Sequence, residues 1–95
     1  MELLDYHNIS FARTQSANVL IIKGSVTNKS NKNFSAVAIR IILFSKSVPI
    51  VNVVVVVNGL PSGRTKDFEK EVMDADYDRI VNQMARYEVC TESVY

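Results

Sequence analysis

The chain carries few side chains suited to chemistry. Its one histidine, His7, and its one cysteine, Cys90, stand near opposite ends of the sequence. Nucleophilic catalysis needs a nucleophile, a base and an orienting group within hydrogen-bond reach. His7 and Cys90 are the one pair able to supply the first two, on the condition that the first and last strands are neighbours. The plainer reading is a half-buried cysteine and an exposed histidine, so no catalytic residue is assigned and the chain is read as a non-enzyme. The run Asp74-Ala75-Asp76-Tyr77-Asp78 sets carboxylates at alternate positions, as an EF-hand loop begins. Calcium requires several oxygens on a tightly turned backbone. The sixth position here is Arg79 instead of glycine and the twelfth is Ala85 instead of glutamate, which excludes the EF-hand. Asp74, Asp76 and Asp78 stay as candidate calcium ligands in a sandwich loop, against the alternative of a solvated acidic loop. Zinc is not expected where nitrogen and sulfur ligands are nearly absent. A phosphate cradle is not expected where no glycine opens a helix. No cofactor is called for.

These residues must be positioned by a small object. Ninety-five residues, 47% apolar and 22% charged, make one domain over 1–95 with its core between about 6 and 94, of a size that also suits excision from a longer chain. No apolar run approaches the length of a membrane helix, which is about 18 residues or more. No basic and apolar leader opens the sequence. A net charge of +1 gives no bulk attraction to nucleic acid or membrane, and a basic stripe interleaved with aromatics is missing. The charges are nonetheless uneven: residues 1–66 are mainly basic and 67–95 mainly acidic. Either late strands lie beside early ones and pair their charges, or the molecule has two oppositely charged faces suited to head-to-tail association.

Hydropathy alternates along most of the chain, which is the signature of half-buried strands. Residues 6–14 alternate around Ile9 and Phe11. Gln15 to Asn18 is a polar break. Val19 to Thr27 carries Leu20, Ile22, Gly24 and Val26 on one face, and the mid-strand Gly24 suggests a bulge or a close approach. Asn28 to Asn33 has turn chemistry. A second strand follows with Val37, Ile39, Ile41 and Leu43 inward and Arg40 outward. Lys46 to Pro49 reads as a break. Ile50 to Leu60 is strongly strand-forming, with Val51, Val53, Val55 and Val57 toward the core and Val54 and Val56 away from it. Leu60-Pro61-Ser62-Gly63 is a turn. Thr65 to Val72 is a solvated strand anchored by Phe68. Asp74 to Gln83 reads as a loop with a helical turn, and Tyr87, Val89 and Thr91 alternate in a last strand. Short, evenly spaced strands bounded by turns predict an all-β, immunoglobulin-like antiparallel sandwich of six to seven strands.

Several segments, taken together, resemble the FxLYD domain family. Lys23-Gly24-Ser25-Val26-Thr27-Asn28 is similar to its G-x-V-x-N signature. Ile41-Ile42-Leu43-Phe44-Ser45 is similar to the segment that names it, with Ile41 in the Phe place, Phe44 in the Tyr place and Ser45 in the Asp place. Leu60-Pro61-Ser62-Gly63 followed by Phe68 resembles its Leu-Pro-x-Gly turn, and Tyr87-Glu88-Val89 its closing strand. The resemblance spans about residues 18–92. It implies an immunoglobulin-like accessory module of bacterial envelope or secreted proteins, with no established catalytic site.

Asn8-Ile9-Ser10, Asn28-Lys29-Ser30 and Asn33-Phe34-Ser35 match the glycan acceptor pattern, which has meaning only in a eukaryotic secreted chain. The valine run offers more. Val54 and Val56 on the non-core parity would form an apolar patch, and an open strand edge invites another strand. A protein partner or a second copy would cover it through a β edge or the valine-rich face; alternatively, a loop of the chain itself covers those valines. The functional expectation is a non-catalytic module for protein interaction or spacing, with a small ligand- or calcium-binding sandwich using Asp74–Asp78 as the alternative.

Overall fold

The alternation seen in the sequence becomes two packed sheets. In the computed structural model, residues 3–14 and 18–95 are described, without the side chains of residues 73–75. The strands are β1 (Leu4–Arg13), β2 (Val19–Asn28), β3 (Phe34–Ser45), β4 (Val48–Leu60), β5 (Thr65–Asp76) and β6 (Arg86–Val94), with a short helix α1 (Tyr77–Gln83) between the last two. One sheet has the order β1-β2-β5 and the other β4-β3-β6. All four pairings are antiparallel. The all-β sandwich expected from the alternating pattern is the observed architecture. The polar break at Gln15 to Asn18 falls, apart from Asn18, outside the described residues.

The core lies between the two central strands. Leu20, Ile22 and Val26 of β2 face Val37, Ile39, Ile41 and Leu43 of β3, and all are fully buried. Burial stabilises each such side chain by about 1.5–3 kcal/mol. The edge strands add Leu4, Val51, Val55, Val57 and Phe68, so the valine parity expected for β4 is observed. Gly24 has a steric reason. A Cβ there would sit 2.6 Å from Ile9 Cδ1 and 2.6 Å from Phe68 Cζ. Phe68 pairs with Gly24 across β2 and β5, and Ile9 reaches it from the other side because β1 bulges. His7 pairs with Ser25 and Ser10 with Lys23, so Asn8 and Ile9 together oppose Gly24, with Asn8 at φ 56. A bulge of this kind re-aims a side chain, and here it turns Ile9 inward.

Two expectations about loops are corrected. The break at Lys46 to Pro49 is shorter than expected, a tight turn at Lys46-Ser47 alone: β3 runs to Ser45, and β4 already starts at Val48 with Pro49 inside it. Proline is tolerated because β4 is an edge strand and its register with β3 is irregular at Phe44–Pro49. Asp74–Asp78 is not a loop. β5 continues through Asp76, paired to β2 as far as Val19, and the chain enters α1 at Tyr77.

The turns are laced together by one buried amide. Asn28 is fully buried, and its Nδ2 donates to the carbonyls of Lys32 at 2.7 Å and Leu60 at 3.0 Å. Its Oδ1 accepts from the amide and hydroxyl of Ser30, and its backbone bonds Arg64 and Gly63. The β2–β3 and β4–β5 turns are thereby fixed to the end of β2.

Candidate functional site

His7 and Cys90 are not brought together. His7 lies on the outer face of the β1-β2-β5 sheet, where its Nε2 shares a hydrogen bond with the Thr27 hydroxyl at 3.0 Å. Cys90 is exposed on β6 of the other sheet, paired with Arg40 of β3 in that same sheet. The two residues sit on opposite outer faces of the sandwich. His7 has a different neighbour that the sequence does not suggest: His7, Ser25 and Asp67 occupy one row across three strands. The order of hydrogen bonds is wrong for nucleophile activation, however. Ser25 Oγ donates to Asp67 Oδ1 at 2.6 Å, whereas a triad needs the hydroxyl on the imidazole and the carboxylate behind it. The row is a polar ladder that joins three strands, extended by the Thr27–Thr65 hydroxyl pair at 2.6 Å.

The three aspartates are dispersed in role. Asp76 caps α1, accepting from the Arg79 amide at 3.2 Å and from Asn18 Nδ2 at 2.7 Å. Asp78 lies 3.9 Å from Arg13. The Asp74 side chain is outside the described residues. Among the described residues no group of three or more histidine, cysteine or acidic side chains is placed to hold a metal ion.

Two shallow grooves open along the sides of the sandwich. One, of about 390 Å³, lies between β1 and β6 and is lined by Leu4, Tyr6, Ile9, Tyr87 and Val89. It is bridged by the Tyr6–Thr91 hydroxyl pair and an edge-on Phe11–Tyr87 contact, with centroids 5.4 Å apart. The other, of about 380 Å³, lies between β4 and β5 beside α1. Ile50, Val53, Val72 and Ile80 form its apolar wall, and Asn52, Asp76 and Arg79 its polar rim.

The four strand edges differ in what guards them. β1 has the bulge at Asn8–Ile9. β6 has another: Ser93 pairs with Ala38 and Thr91 with Ile39, so Glu92 is the extra residue. The bulge turns Glu92 onto the outer face, where it accepts from both Arg40 Nε and Nη2. This hydrogen bond holds the Glu92 carboxyl below its usual range and the Arg40 guanidinium above its own, against a smaller opposing effect of desolvation. β5 carries Lys66, Asp67, Glu69, Lys70 and Glu71, and charge is a common guard of edges.

β4 lacks such a guard over most of its length. Residues 47–63 contain no charged side chain. From Val51 to Leu60 the strand has no bulge. On its outer face Val54 is half-buried and Val56 is 56% exposed. Lys66 Nζ reaches around to the Asn58 carbonyl at 2.7 Å, so that carbonyl points away from β3. The Leu60 carbonyl, met by Asn28, points away as well. Antiparallel pairing alternates, hence the N–H and C=O of Asn52, Val54, Val56 and Asn58 all face the open side. Those of Val54 and Val56 have no partner among the described residues.

No helix among the described residues is long and apolar enough to cross a membrane. No family model matches the chain, and no curated protein or solved structure matches it either.

Proposed function

We propose that the chain is a non-catalytic, immunoglobulin-like module of the FxLYD kind that binds protein through the open edge of β4 and its valine-bearing outer face. The observation that carries this reading is the contrast among edges. β1 and β6 are bulged and β5 is charged, whereas β4 presents an uncharged ladder, without a bulge from Val51 to Leu60, with Val56 exposed. Unpaired ladder groups give affinity in strand addition, and the alternate side chains give selectivity. The residues behind the family resemblance have architectural work instead: Gly24 makes room for Phe68, Asn28 ties two turns, and Gly63 turns the chain at φ 77. A module of this kind suits an accessory role in an envelope or secreted protein, as interaction surface or spacer. The test is capture with the native chain against the Val54→Lys/Val56→Lys double variant. A partner or self-association held by the first and lost by the second supports the reading; identical behaviour of both removes the β4 site.

A further inference from the structure

We infer that the occupant of this edge is a second copy of the chain, with the two β4 strands paired antiparallel about a two-fold axis at Val55. The inference rests on the interaction reading above and names its partner. Residues 52–58 read Asn-Val-Val-Val-Val-Val-Asn in either direction. A two-fold axis reverses one strand against the other and makes each contact occur twice. With the axis at Val55, Asn52 of one copy stands opposite Asn58 of the other, and Val54 opposite Val56.

The backbone fits the same register. Asn52, Val54, Val56 and Asn58 turn both their N–H and C=O groups to the open side. Each therefore meets a residue of the second copy turned the same way, in a hydrogen-bonded pair, and Val55 meets Val55 in the closer, unbonded pair between them. A slip of one residue sets ladder groups against residues turned into their own sheet. A slip of two puts the axis at Val54 or Val56 and leaves asparagine amides opposite apolar side chains. The flanking asparagines thus pin the register that a uniform valine run leaves free.

The side chains agree. Arg40 donates to Asn52 Oδ1, which leaves the Asn52 amide nitrogen as donor. The Asn58 side chain has no hydrogen-bond partner among the described residues and is exposed, so its oxygen is open to accept from Asn52 of the second copy. Lys66 holds only one lone pair of the Asn58 carbonyl, and a carbonyl oxygen has two. In this register Lys66 comes to the Asn52 end of the second copy's groove, where Asp76 stands beside Arg79, so an acid is present to offset the like charge. The result is one continuous sheet in the order β6-β3-β4-β4-β3-β6. Both open edges are used up, which ends growth at two copies.

The test uses sedimentation and disulfide cross-linking on the full chain, with Cys90→Ser as background. The native chain is expected to double its mass across a concentration series, and Val54→Lys/Val56→Lys to stay monomeric. Residues in a bonded antiparallel pair have Cα atoms about 5.5 Å apart, inside the disulfide range. The V54C/V56C double variant should therefore form a covalent dimer under mild oxidation, while V54C and V56C alone do not. Cross-linking of either single variant overturns the register, since it places the axis on that residue. A native chain that is monomeric throughout overturns the dimer. If that monomer still captures a partner that Val54→Lys/Val56→Lys loses, the broader interaction reading survives; if both variants behave alike, it fails too.

Discussion

At the scale of single residues, the structure turns on a few side chains whose jobs are steric or polar. Asn28 satisfies two carbonyls and accepts two bonds from Ser30 while fully buried. Asn28→Ala removes all of these and leaves the Leu60 carbonyl without its donor. Such a loss costs about 2–4 kcal/mol, to be read as a lower denaturant midpoint. Gly24→Ala should be destabilising by about 1–3 kcal/mol, since its Cβ would collide with Ile9 and Phe68. Turn chemistry at Asn28–Asn33 is legible in the sequence; the burial of Asn28 is not, because its partners lie as far off as Leu60. Gly24 announces a close approach, but the two side chains that make it come from different strands.

The Arg40–Glu92 pair gives a pH dependence with a definite sign. Hydrogen bonding to Arg40 lowers the Glu92 pKa in the folded state. The associated stabilisation is complete above the usual carboxylate range and fades as pH falls through that range toward the lowered value. Both side chains are partly exposed, so the contribution is small. In Glu92→Gln, the thermal midpoint should fall less steeply on acidification than in the native chain.

At the scale of elements, alternation located all six strands, since their inward and outward positions differ in character over most of their length. It failed where backbone pairing outruns the apolar pattern. β5 is irregular between Val72, which pairs with Leu20, and Asp76, which pairs with Val19, so the acidic segment read as a loop. Bulges were equally hidden: nothing local to Asn8–Ile9 or Glu92 states that the partner strand has one residue fewer. The same correction bears on calcium. Asp76 is engaged by Asn18 and Arg79, and Asp78 lies near Arg13. Thermal melting should therefore be unchanged by added calcium or by chelator, whereas an ion bound to the folded state would raise the midpoint.

At the scale of the whole molecule, the lopsided charge of the sequence is resolved by topology. Arg13–Asp78, Lys23–Glu69 and Arg40–Glu92 each join a base from the first part of the chain to an acid from the last. Neighbouring strands in two cases, and β1 and α1 in the third, thus pair charges that the sequence keeps apart. What the pairing leaves over is β4, legible in part as a valine run with Val54 and Val56 on the outer parity. Its status as the least guarded of four edges depended on sheet order, bulges and hydrogen-bond direction, none of which a linear pattern carries.

The most direct test of β4 as the working edge is hydrogen exchange at the Val54 and Val56 amides. In dilute chain these N–H groups should exchange fast despite lying in mid-strand, and slow markedly as the concentration rises or partner is added. The amides of Val53, Val55 and Val57, already bonded to β3, should change far less. Rapid exchange of Val54 and Val56 at every concentration and with every captured partner would contradict the account.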